Sequence, residues 1–204
     1  LNRGEIYFYE NSAEAEAKVV KYDSSVVNTT AFDIAKTAGV AATNHFIVSK
    51  GNIISNNYSV SGKLTIGECD TNPHIQFSLD GNNGPNRFLL WDNNTDGTYI
   101  ASYAFQGNYS TASGQASVVA GQEITWEVVT TEKHSYFYIN GQLEFVFLNF
   151  NAKMLVIGAE KVAINVYDIK TVTSADADAW ANVLARSEVA KLEAMTADER
   201  FEFW

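Results

Sequence analysis

The chain has 204 residues, 46% hydrophobic and 19% charged, enough apolar material to bury one large core, which excludes disorder and a disulfide-stapled miniprotein. Its 24 acidic residues against 14 basic ones leave a formal charge of −10, and a field of that sign makes phosphate backbones and anionic lipid surfaces poor partners. The longest apolar runs, such as Phe145 to Leu148, fall far short of the roughly 20 residues a membrane-spanning helix needs, so neither nucleic-acid binding nor membrane insertion is expected.

In chain order, short alternating segments rich in aromatic and β-branched residues predict strands at Glu5 to Tyr9, Lys18 to Tyr22, His45 to Ser49, Tyr58 to Gly67, His74 to Leu79 and Arg87 to Trp91. Further strands are predicted at Thr98 to Phe105, Glu123 to Thr130, Ser135 to Asn140, Leu143 to Leu148, Met154 to Ile157 and Val162 to Val172. Glycine, asparagine and aspartate turns separate them, and about a dozen such segments predict an all-β sandwich of antiparallel sheets. Two connections are specific. Asn140-Gly141 supplies the two positive φ angles of a tight hairpin, and Asp92 to Gly97 joins another pair. The period of two sets Ile75, Phe77 and Leu79 against His74, Gln76, Ser78 and Asp80, and Ile124, Trp126 and Val128 against Glu123, Thr125 and Glu127, so that one face of each strand is core and the other meets water.

From Ser174 the alternation stops. Trp180, Val183, Leu184 and Ser187 fall at helical spacing behind a Ser174 cap, with Asp176 and Asp178 in the first turn, which predicts a helix of about five turns. A second start signal, Thr196-Ala197-Asp198-Glu199, leads into Phe201, Phe203 and Trp204. The expected organisation is a sandwich over 1–173 and a helical segment over 174–204 that packs on the sandwich or on a partner chain. The lone Cys69 forms no intrachain disulfide and leaves the redox compartment open. A first residue of Leu1 suggests a processed secreted product or an excised piece.

The central block carries a resemblance. YSVSGKLTIGE from Tyr58, then HIQFSL, RFLLWD, AGQEITWEVV, KHSYFYINGQLEFVF, MLVIGAE and INVYDIKTV resemble, in order and character, the strands of concanavalin A-like lectin and glucanase jelly rolls, the laminin-G-like superfamily. The resemblance covers Phe46 to Val172 and implies a two-sheet jelly roll. Its members include lectins, glycoside hydrolases, polysaccharide lyases, adhesion modules and viral structural proteins, so the fold alone does not choose a function.

Three chemistries are then weighed on the residues. Glycanases that resemble this chain carry E-x-D-x-x-E; here the nearest carboxylates are Glu123 and Glu127, the candidate acid and nucleophile of a glycoside hydrolase. Asp92, Asn94 and Asp96 before Gly97 match the start of a calcium loop, although Tyr103 stands where a twelve-residue loop needs a glutamate, so Ca2+ is the one cofactor considered. His45, His74 and His134 show no zinc spacing. Sugar rings stack on aromatic faces while their hydroxyls need amide and charged partners. The candidates for such a face are Trp91, Tyr99, Tyr103, Tyr136 and Tyr138 with His74, Gln76, Asp80, Arg87 and Glu127. The expected function is non-catalytic recognition by a carbohydrate-binding or adhesion module with a glycan partner at an extracellular or cell-surface location. The rivals are a glycoside hydrolase and a structural subunit of a virion or surface assembly.

Overall fold

The computed structural model describes residues 56–79, 85–109, 114–148 and 155–195 with their side chains, and the strands Glu5–Phe8, Val27–Asn28, Phe32–Ala35 and His45–Ser49 as backbone. Those four strands are β1 to β4. They are followed by β5 (Tyr58–Ser78), β6 (Arg87–Trp91), β7 (Thr98–Phe105), β8 (Asn108–Tyr109), β9 (Ser117–Val119), β10 (Glu123–Thr130), β11 (His134–Ile139), β12 (Gln142–Leu148) and β13 (Val156–Thr173), and by one helix, α1 (Ala177–Met195).

Two long strands organise the sandwich. The first half of β5 pairs with β10 (Tyr58 opposite Thr130, Leu64 opposite Ile124) and its second half with β6 (His74 opposite Trp91, Ser78 opposite Arg87). β13 accompanies β5 along both halves. A front sheet therefore runs β12-β11-β10-β5-β13, a back sheet runs β7-β6-β5-β13-β4-β3-β2, and β5 and β13 belong to both layers. Among the described strands the pairing is antiparallel except that β1 lies parallel to β13, with Glu5 opposite Ala163, a departure from the wholly antiparallel expectation. The architecture is a jelly-roll β-sandwich with a C-terminal helix.

The core between the layers is aromatic. Phe88 of the back sheet stacks on Phe137 and Phe147 of the front sheet at 4.9 and 4.4 Å, and Phe77 sits 5.3 Å from Trp126 and 5.1 Å from Phe137. Tyr103 meets Phe145 edge-on at 4.9 Å. Offset and edge contacts of this kind add to the burial of large apolar area. Trp126 fits because it lies opposite Gly62: a Cβ on Gly62 would come within 2.7 Å of the indole. The β11–β12 turn forms as its sequence predicts, with Asn140 at φ 51° and Gly141 at φ 79°.

Helix α1 roofs part of the front sheet. Its cap is Asp176, whose carboxylate accepts the Ala179 N–H at 3.1 Å, two residues later than the expected Ser174. A carboxylate here also faces the positive end of the helix dipole. Trp180, Val183 and Ser187 recur at steps of three and four and are buried against Val129, Tyr136, Tyr138, Leu143 and Val146. No helix among the described residues is long and apolar enough to cross a membrane. The predicted Lys18 to Tyr22 strand, Asp80 and the Thr196 to Trp204 signals lie outside the described residues.

Candidate functional site

The outer face of the back sheet gathers four of the predicted residues. Pairing sets His74 beside Trp91 and Ser78 beside Arg87 across β5 and β6, while on the other flank His74 faces Glu160 and Gln76 faces Gly158. Residues paired across a sheet share a face, so Trp91, His74 and Glu160 form one row. Beside it Leu89, Gln76 and Gly158 form a second, and Arg87 stands opposite Ala104, which in turn stands opposite Tyr109. Ser78, Ser102, Ala104 and Gly158 are the small residues of this face. Gln76 covers Gly158 so closely that a Cβ there would meet its amide nitrogen at 2.7 Å.

The long polar side chains of this face hold one another. Arg87 donates from Nη1 to the Gln76 Oε1 at 3.1 Å and from Nη2 to the Tyr109 hydroxyl at 2.7 Å, with its guanidinium carbon 5.1 Å from the Tyr109 ring centroid. His74 Nε2 lies 3.0 Å from a Glu160 carboxylate oxygen. The His74 contact holds the Glu160 carboxyl below its usual range against the opposing pull of partial burial, so Glu160 is ionised at neutral pH. Trp91 donates its indole N–H to Asn72 Oδ1 at 2.5 Å, and its ring lies 5.7 Å from that of Tyr109. Trp91 is half-buried and Tyr109 is 47% exposed, whereas Gln76 is fully buried and Arg87 and His74 nearly so. The result is an aromatic rim beside a charged and amide-bearing floor. Tyr109, Glu160, Asn72 and Gly158 were not foreseen, because each arrives from a short strand, a bulged strand or the kink in β5 at Asn72, whose register the sequence does not announce. Gln76 and Ser78 were expected to meet water and are buried instead.

The other aromatic candidates lie elsewhere. Tyr99 and Tyr103 point into the core, since β7 sets Tyr103 against Phe88 and Ala101 against Leu90. In Thr98 to Phe105 both faces carry apolar residues, and alternation alone cannot choose between them. Burial drives the Tyr99 hydroxyl well above its usual range. Tyr136 and Tyr138 do face outward on β11, but α1 covers them. Tyr136 donates to Glu188 at 2.5 Å, Tyr138 donates to Ser187 at 3.1 Å, and both are buried.

The two carboxylate candidates are on one face but apart. Four residues along a strand separate Glu123 from Glu127 by about 13 Å, against the roughly 5–9.5 Å between the catalytic carboxyls of glycosidases. Both are also engaged. Glu127 receives Arg186 through two N–H bonds at 3.0 and 2.7 Å and the Ser59 hydroxyl at 2.6 Å. Glu123 accepts the Tyr167 hydroxyl at 2.8 Å and lies 3.1 Å from Lys63, and these contacts, Tyr167 first, hold its carboxyl below the usual range. Their spacing and these contacts do not match the facing acid and nucleophile of a glycosidase.

The candidate calcium loop is closed by its own backbone. Asp92 is buried and accepts N–H bonds from Asn94 and Asp96 at 3.2 Å each and from Gly97 at 2.8 Å. Asp96 accepts the Thr98 N–H at 2.9 Å. With the Asp92 oxygens turned onto amides, the loop does not offer the six to eight outward oxygens that calcium takes, and among the described residues no group of three or more His, Cys, Asp or Glu side chains converges as a metal set. Asp92, Asn94 and Asp96 fit a turn rather than a Ca2+ site. His45 belongs to β4, and His134 stands on β11 with its ring 6.1 Å from that of Tyr136.

No family model and no curated protein matches the chain. Among solved structures, sheep galectin-11 in complex with glycerol aligns at 17% identity over 58% of this chain and 91% of its own, with a TM-score of 0.41. A carbohydrate-binding module, CBM66 from Bacillus subtilis, aligns at 10% identity over 74% and 92%, with a TM-score of 0.48. A toad ovary galectin in complex with thio-digalactose aligns at 13% identity over 62% and 98%, with a TM-score of 0.42. The likeness is one of jelly-roll strand arrangement, and the fold assignment stands on the strand pairing described above.

Proposed function

We propose that this protein is a non-catalytic carbohydrate-binding module and that its glycan lies on the outer face of the back sheet. The observation that carries this reading is the union of an aromatic rim, half-buried Trp91 and exposed Tyr109, with the partly exposed Glu160 and the largely buried His74, Arg87 and Gln76 beneath it, each already held by a neighbour. A sugar needs both halves: an apolar C–H face takes a ring, and its hydroxyls take donors and acceptors fixed beforehand, so that little ordering entropy is lost on binding. Fixed Arg87 N–H groups donate to ring or hydroxyl oxygens, and the ionised Glu160 accepts from hydroxyls. The structures aligned above include a carbohydrate-binding module and a galectin holding thio-digalactose, in keeping with this choice. An extracellular or cell-surface location belongs to the same proposal, since that is where glycans are displayed.

A glycan array probed with the wild-type chain and with Arg87→Met tests it. Binding to a defined glycan group that Arg87→Met loses, with an unchanged circular dichroism spectrum, is the expected result. Silence of the wild-type chain across the array, or equal binding by the variant, overturns it.

A further inference from the structure

A second polar recess lies on the other layer. Between β5, β10 and β13, on the outer face of the front sheet beside α1, a groove of about 280 Å³ is lined by Lys63, Thr125, Glu127, Tyr138, Asp168 and Lys170. It shares no residue with the face around Trp91. A break in β13 shapes it: Tyr167 stands opposite Lys63 and Lys170 opposite Ser61, so two residues, Asp168 and Ile169, face the single Gly62. Asp168 takes φ 53°, a left-handed conformation that is unfavourable for a residue with a Cβ. Bulges re-aim side chains, and this one sets the Asp168 carboxylate 3.6 Å from Lys63.

The charges of the groove sum to zero but are unevenly paired. Glu127 is closed by Arg186 and Ser59, and Lys63 is shared between Glu123 and Asp168. Lys170 is exposed and forms no ion pair with any described residue. One ammonium without a direct ion-pair partner among the described residues thus lines a recess that also holds Thr125 and Ser61. We propose that this groove binds a single carboxylated sugar unit, a uronate, with its carboxylate on Lys170 and its hydroxyls on Thr125, Ser61 and Asp168. The volume lies at the lower edge of the roughly 300–1,000 Å³ of small-molecule sites, which suits one ring. Charges more than about 8 Å away are largely screened at physiological salt, so one unit responds to the lining of the groove, whereas a long polyanion also meets the field of a chain carrying −10.

The test is a titration of the isotope-labelled full chain with methyl β-D-glucuronide, methyl β-D-glucoside and sodium acetate, reading the backbone amides of Thr125, Gly141 and Lys170. Saturable shifts with the glucuronide, at least tenfold weaker with the glucoside and with acetate, are expected. Affinity should fall at least tenfold in Lys170→Gln and Thr125→Val and be unchanged in Trp91→Ala, which separates this groove from the other face. The same spectra report whether each variant is folded. An absence of saturable shifts, an equal response to the glucoside, acetate binding as tightly as the glucuronide, or indifference to both groove substitutions would overturn the proposal.

Discussion

Gly62 and Gly158 do their work through the side chain they lack. At Gly62 the missing Cβ is replaced by the Trp126 indole, and Gly62→Ala drives a methyl to 2.7 Å from a ring that is 2% exposed. Overpacking of this kind costs about 1–3 kcal/mol, so chemical denaturation should show that loss with an unchanged slope. Gly158→Ala meets the Gln76 side chain instead, the group bonded to Arg87, so its effect should fall on the site. By displacing Gln76 from Arg87, Gly158→Ala should weaken glycan binding more than it lowers stability, as calorimetry and denaturation run on the same sample will separate. Glu160 gives a pH prediction. Its carboxyl titrates below the usual 4.5 in the folded chain, chiefly through His74. The stability it contributes is therefore fully present above about pH 4.5 and is lost as pH falls through the lower folded value. Glu160→Gln should flatten the acid limb of a Tm–pH curve.

Helix α1 is held by a narrow apolar strip and a ring of polar contacts, and its anchor is Trp180, 7% exposed against Val129, Tyr136 and Val146. Trp180→Ala removes that anchor and should cost about 3–5 kcal/mol, whereas Asp176→Ala removes only the cap and should cost about 0.5–2 kcal/mol; thermal unfolding of the two variants checks the ranking. Elements were legible where one local signal decides them. Arg87–Trp91, Thr98–Phe105 and Glu123–Thr130 match the expected strands end to end because polar turns bound them. The helix was legible from the spacing of Trp180, Val183 and Ser187. What alternation hid was continuity. Tyr58 to Gly67 and His74 to Leu79 read as two strands because the acidic and polar Glu68 to Asn72 resembles a turn, yet β5 continues through it, with a left-handed kink at Asn72 (φ 56°), from one layer to the other. β13 was split in the same way, and the two-residue β8 and three-residue β9 are too short to show a period.

Across the whole molecule, packing between the layers and the cover given by α1 decide which of the aromatic candidates can meet a ligand. The sequence places Trp91, Tyr99, Tyr103, Tyr136 and Tyr138 on equal terms, since a tyrosine that fills a core and one that meets a sugar occupy the same strand positions. Cross-layer packing removes Tyr99 and Tyr103, and α1 removes Tyr136 and Tyr138, leaving Trp91, joined by the unforeseen Tyr109. His74, Gln76 and Arg87 were legible because they alternate with core residues on neighbouring strands, whereas Glu160 reaches them only through the long-range pairing of β13 with β5. The measurement that tests this account most directly is calorimetric titration of the strongest array glycan into the wild-type chain, Trp91→Ala and Tyr138→Phe. The account predicts at least a tenfold loss of affinity, about 1.4 kcal/mol, for Trp91→Ala and wild-type affinity for Tyr138→Phe; retained affinity in Trp91→Ala, or its loss in Tyr138→Phe alone, would contradict it.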